Sequence, residues 1–137
     1  MSGTLELALL SPVEPDIEAR HAIAVTARDA SGSFAILPGH ADFVAALVPC
    51  LLEWTDAAGA VHYVGVPGGI LRSAGGVRVE VMARRHYPGD SPASVAAALR
   101  GDMGRARAAD DSRRQALDRL EAEIAGQLAR RLAAGSA

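Results

Sequence analysis

The strongest constraint on this chain is a change of texture near residue 88. Before it, short apolar runs of Val, Ile and Leu are cut by Gly and Pro; after it, Ala and Arg dominate and no Val follows Val95. Leu5, Leu7 and Leu9 alternate with Thr4, Glu6 and Ala8. Ile23 and Val25 share a face, and Val77, Val79 and Val81 alternate with Arg78 and Glu80. A period of two sends one side of a strand to a core and the other to water. Turn clusters separate the runs: "DASG" at 29–32, Pro38-Gly39, "DAAG" at 56–59, "PGG" at 67–69 and "SAGG" at 73–76. Many short strands at roughly 8–12-residue spacing predict an antiparallel all-β sandwich over residues 1–86, with Leu5, Leu7, Ile23, Val25, Val79 and Val81 facing inward.

The tail reads as a C-terminal α-helical hairpin over residues 91–134, joined to the sandwich by a turn-like linker, "YPGDSP" at 87–92. Ser91-Pro92 has the form of an N-cap followed by Pro at the first helical position. A first helix then runs to about Ala109, weakened by Gly101 and Gly104, each of which costs about 1 kcal/mol against Ala. Asp110, Asp111 and the Ser112…Gln115 pair have the form of a second N-terminus. Leu117, Leu120, Ile124 and Leu128 form an apolar stripe that Leu132 continues, with Arg130 and Arg131 placed in the last turn. The joint at 109–112 contains no Gly or Pro, so a single uninterrupted helix is the competing reading.

Composition excludes several functions. With 137 residues, half of them hydrophobic, the chain can bury one real core. A net charge of −2 does not suit nucleic acid. All 14 basic residues are Arg, which removes a lysine Schiff base and the P-loop lysine. The single Cys50 cannot close an internal disulfide and points to a reducing compartment. No apolar run reaches the roughly 18 residues of a membrane span, so direct membrane insertion is not expected. The N-terminus lacks the basic segment of a signal peptide. His21, His40, His62 and His86 show no zinc-ligand spacing, and "GVPGGI" at 65–70 lacks the GK[ST] of a phosphate loop. No catalytic residue, metal site or required cofactor emerges.

One loop is unusual. Leu37-Pro38-Gly39-His40-Ala41-Asp42 is a stiff turn that carries apolar surface, although turns ordinarily face water. "GSFAILPGHADFVAAL", then "GVPGGILRSAGGVRVEVMA", then an Ala/Arg-rich tail, resembles the epsilon subunit of F-type ATP synthase over nearly the whole chain. The specific part is "ILPGHA" at the family's distance from "GGIL" and "VRVEVMA". Ala35 stands where the family has Gly, Asp42 where it has Pro, and Val66-Pro67 precedes the glycine pair where a small residue is usual. These departures and the short Arg-rich tail are similar to a divergent branch, the alternate sodium-linked type.

The resemblance implies a non-catalytic rotor subunit of the central stalk, coupling the gamma subunit to the membrane c-ring in proton- or sodium-driven ATP synthesis. It implies a peripheral position at the cytoplasmic face of a bacterial inner membrane. Residues Leu37 to Asp42 would face the c-ring. The tail would be a regulatory arm that restrains ATP hydrolysis at the alpha/beta catalytic head, with Leu117, Leu120, Ile124 and Leu128 as its stripe and Arg113, Arg114 and Arg119 beside it. Some members bind regulatory ATP through an [IL]DxxRA motif. Asp102, Arg105 and Ala106 match it, with Gly101 at the aliphatic position; an Asp and an Arg three apart on a helix equally form an ordinary surface ion pair. Two other readings compete: a stand-alone β-sandwich module that dimerises through its helical tail, and a small enzyme using His40 as a base near Asp42.

Overall fold

The computed structural model describes residues 3–135. In chain order the strands are β1 (Leu5–Leu10), β2 (Ile17–Asp29), β3 (Gly32–Ile36), β4 (Phe43–Leu47), β5 (Cys50–Asp56), β6 (Val61–Val66), β7 (Gly69–Ala74), β8 (Arg78–Met82) and β9 (Tyr87–Gly89), followed by the helix α1 (Pro92–Gly135). The turns follow from their residues. Asp29 Oδ1 accepts hydrogen bonds from the Ser31 backbone N–H at 2.8 Å and from its hydroxyl at 2.6 Å. Asp56 Oδ1 accepts the N–H groups of Ala58 at 2.9 Å and Ala60 at 3.0 Å. Each aspartate side chain closes its own turn, as the "DASG" and "DAAG" patterns predict.

The strands run β1-β8-β7-β4-β2-β5-β6-β9, with β3 also on β2 and β1 returning to pair β2. Leu5, Leu7, Leu9, Val25, Ile36, Leu52, Val64, Val66, Leu71, Val79 and Val81 make the core between the layers, each no more than 3% exposed. β2, at 13 residues, serves both layers, pairing β1 through its first half and β5 through its second.

Four expectations need correction. Ile23 is 37% exposed, whereas Ala22 is fully buried. Between the pairs Leu5↔Ala22 and Leu7↔Ala19, Glu6 of β1 faces both Arg20 and His21 of β2, and the β5 ladder slips between Ala22 and Ala24, where Ile23 is the extra residue. The first irregularity carries His21 at φ 62°, and the second, at Ile23, resets the alternation between Ala22 and Val25 so that Ile23 falls on the outer side. The sheet is also not wholly antiparallel: β1 lies parallel to β8, from Glu6↔Arg78 to Leu10↔Met82. The segment read as a linker contains β9, where Tyr87 to Gly89 pair with β6; Pro88 is tolerated because the strand lies at the sheet edge.

The fourth correction concerns the tail, which is one 44-residue helix rather than a hairpin. Ser91 caps it as expected: its hydroxyl accepts the Ser94 N–H at 3.2 Å, while the Ser94 hydroxyl lies 3.4 Å from the Ser91 N–H. At the expected joint, Asp110 does not cap a new helix. Its carboxylate accepts a bond from Arg113 Nη2 at 2.8 Å, one turn along the same helix. With no Gly or Pro at 109–112, nothing forces the helical hydrogen bonds to stop. Because the helix continues to Gly135, Arg130 and Arg131 lie outside its last turn, which carries no basic residue. The chain divides into two compact units with the boundary after Asp102.

Candidate functional site

The turn at 37–42 is built by two glycines and one aspartate. Gly39 has φ 84° and Gly76, on the turn between β7 and β8, has φ 69°. A side chain on Gly76 would come within 2.9 Å of Gly39 Cα. Their close approach allows the Gly39 N–H to donate to the Gly76 carbonyl at 2.8 Å. Asp42 Oδ1 accepts the Gly75 N–H at 2.7 Å. Two turns far apart in sequence are thereby fastened into one rigid tip.

On that tip Leu37 is 56% exposed; Gly39, His40, Ala41 and Asp42 are also exposed, and Pro38 is half-buried. His40 donates through Nδ1 to the Ala41 carbonyl at 2.8 Å, which leaves Nε2 as its free ring nitrogen. The His40 ring lies 4.9 Å from that of Phe43, and Phe43 meets Phe34 edge-on at 5.8 Å. A shallow depression of about 520 Å³ runs beside the loop, lined in part by Asp29, Ser31, Phe34, His40, Phe43 and Val44. His40 and Asp42 are neighbours in sequence, but their polar atoms serve different backbone groups. The role of Asp42 as a clasp was missed in the sequence; an acid just after a Pro-Gly turn was its only signal.

The residues of the DxxRA match are placed apart in environment. Asp102 is 4% exposed. Its carboxylate takes Arg84 Nη2 on both oxygens at 2.9 Å and the Tyr87 hydroxyl at 2.6 Å. Arg105 and Ala106 are exposed. Arg84 and Tyr87 were not singled out in the sequence, because nothing in local spacing couples them to a helix residue fifteen or more positions away. Val95 and Leu99, the other buried residues of α1, belong to the same stretch. Farther along, Leu117, Leu120, Ile124 and Leu128 are 49–58% exposed, and Arg113, Arg114 and Arg119 are exposed too.

Chemistry is scarce elsewhere. Among the described residues no group of three His, Cys, Asp or Glu could hold a metal ion. Cys50 is buried, and burial pushes its thiol above the ordinary range against the opposing pull of Arg28, which makes it a poor nucleophile. No described helix is long and apolar enough to cross a membrane.

Comparison with known proteins matches residues 4–89 to the ATP synthase delta/epsilon chain β-sandwich domain. The chain is 38% identical over 134 residues to ATP synthase epsilon chain 2 of Paraburkholderia xenovorans, covering 96% of this chain and 95% of that one. It is 34% identical over 113 residues to ATP synthase epsilon chain 2 of Cereibacter sphaeroides, covering 82% and 75%. In fold it is similar to a chain of the Euglena gracilis mitochondrial ATP synthase (OSCP/F1/c-ring), with TM-score 0.59 and 23% identity over 74% of this chain and 65% of that one. A chain of the Tetrahymena thermophila mitochondrial ATP synthase central stalk and c-ring gives TM-score 0.53 and 15% identity over 76% and 93%.

Proposed function

Because this chain belongs to the ATP synthase delta/epsilon chain family, we propose that its rigid 37–42 tip is the surface through which it rests on the c-ring. The chain is an epsilon-type subunit of the central stalk, a rotor part held by gamma and turning with the c-ring beneath the alpha/beta head. It transmits torque and carries out no chemistry of its own. As a stalk subunit it is peripheral to the membrane; we place it on the cytoplasmic face of a bacterial inner membrane.

The observation that carries the c-ring assignment is the clasp between the two turns. A tip tied by Gly39 to Gly76 and by Asp42 to Gly75 is ordered before any partner arrives. Binding through it loses little conformational freedom, and exposed Leu37 supplies apolar area at the contact. The stripe from Leu117 to Leu128, with Arg113, Arg114 and Arg119 beside it, is the proposed regulatory surface toward the catalytic head. For Asp102 we propose a structural role, since its carboxylate already has Arg84 and Tyr87 as partners. A regulatory ATP at Asp102, Arg105 and Ala106 would have to compete with those bonds.

The test is reconstitution of the enzyme in liposomes with the Leu37→Asp/His40→Ala subunit. ATP synthesis should fall several-fold, while the isolated variant keeps the parent's circular dichroism and melting temperature. Undiminished synthesis would remove this loop from the coupling path. A collapsed melting temperature would make the two residues core elements instead. The exposed stripe also favours a second reading, self-association through the tail, which sedimentation of the isolated chain would reveal as a stable dimer without affinity for gamma.

A further inference from the structure

Away from the tip, the sandwich contains a cleft of about 500 Å³, lined by none of the 37–42 loop residues and none of α1. It arises from the bulge in β2. Before His21 the strand pairs β1, with Leu7↔Ala19 and Leu9↔Ile17; at Ala22 it meets both β1 and β5, and from Ala24 on it pairs β5. The β1–β2 end of the sheet and the β5–β6–β9 end border a gap there. Its floor is the core itself, since Leu7, Leu9 and Val64 are at most 3% exposed and all line it.

One wall is aromatic. Trp54 and His62 face each other across the β5–β6 ladder and stack with centroids 4.0 Å apart and planes 15° from parallel. His62 Nε2 donates to Asp56 Oδ2 at 2.8 Å, which fixes the ring against the indole. Tyr63 and Pro88 extend this wall, and the rim carries the carboxylates Glu18 and Asp90. No arginine lines the cleft, in a chain with 14 basic residues.

We propose that this cleft binds a small organic cation with an apolar body, such as an arylalkylammonium. The apolar part lies on Leu7, Leu9 and Val64, the indole of Trp54 offers a π face near the charge, and Glu18 and Asp90 complement it from the rim. A cleft of this size suits a whole small molecule, whereas one protruding side chain would leave most of it empty.

Trp54 is the sole tryptophan of the chain, so its emission reports on the cleft directly. The full-length protein is titrated with 2-phenylethylammonium chloride, and separately with sodium 3-phenylpropionate as the anionic counterpart at matched ionic strength. The expected result is a saturable change in Trp54 emission with the ammonium alone, weakened about tenfold in Glu18→Gln/Asp90→Asn. Both substituted side chains are exposed, so circular dichroism should be unchanged. Equal responses to cation and anion, unchanged affinity in the double variant, or no saturation with the ammonium would each overturn the proposal. So would an arginine-containing peptide that saturates the same signal far more tightly than the amine, since the occupant would then be a protein segment.

Discussion

A methyl group at Gly65 would lie 2.8 Å from Leu99 Cγ and 2.9 Å from Val95 Cγ1, and one at Gly89 would lie 2.8 Å from Val95 Cγ2. These glycines let the first turns of α1 sit directly on β6 and β9, which is why Val64, Gly65 and Val66 are buried in succession. Gly104 is the opposite case, with open space around its missing side chain. The same substitution should therefore change sign. Gly65→Ala should destabilise by about 1–3 kcal/mol through overpacking, and Gly104→Ala should stabilise by about 1 kcal/mol through helix propensity. Urea denaturation of the two variants beside the parent measures both. Asp56 provides a residue-scale prediction in pH. The hydrogen bond from His62, then those from the Ala60 and Ala58 backbone, hold its carboxyl below the ordinary 3.8. A lowered folded-state pKa contributes stability above the unfolded value and loses it as pH falls through the folded one. Asp56→Asn should therefore lose less melting temperature than the parent between about pH 5 and pH 2, as a thermal-melt series across that range would show.

At the scale of elements, α1 differs most from expectation. The cap at Ser91 was readable because capping is local: a hydroxyl three residues before an N–H needs no distant partner. The false second cap at 110–115 shows the limit of that logic. The same residues serve a helix start or an uninterrupted helix, and the Asp110–Arg113 bond marks which one is realised. Spin labels at Arg107→Cys and Arg130→Cys, in a Cys50→Ala background, should report a backbone separation of about 34 Å at 1.5 Å per residue. A separation of about 25 Å or less would indicate a hairpin folded back at 109–112. In β2 the error was of the same kind. Ile23 and Val25 do alternate in sequence, but the slip at Ile23 breaks the phase between them, and only the register with β5 shows it.

For the whole molecule, the natural cut lies after Asp102 and not at the turn-like segment before α1. Val95, Leu99 and Asp102 are all buried, and Asp102 ties its stretch of helix to Arg84 and Tyr87. A chain ending at Asp102 should melt within a few degrees of the full-length protein, whereas one ending at Asp90 should melt lower because it uncovers Gly65 and Gly89. Differential scanning calorimetry distinguishes them. In the assembled enzyme, removal of 103–137 should raise ATP hydrolysis if the tail restrains it; unchanged hydrolysis would leave only the coupling role.

The sequence by itself determined the β-to-helix order, the aspartate turns, most inward positions and the helix start, because each rests on contacts between near neighbours or on strict alternation. It also carried the family, through a loop whose Pro-Gly-His spelling is legible without coordinates. Tertiary structure alone decided the parallel β1–β8 pair, the β9 edge, the phase of Ile23 and the partners of Asp102 and Asp42. Each of these depends on two segments meeting across a long stretch of chain: Arg84 is eighteen residues from Asp102, and Gly75 is thirty-three from Asp42. A side chain's local spelling names the bonds it is able to make, and packing selects the one it makes.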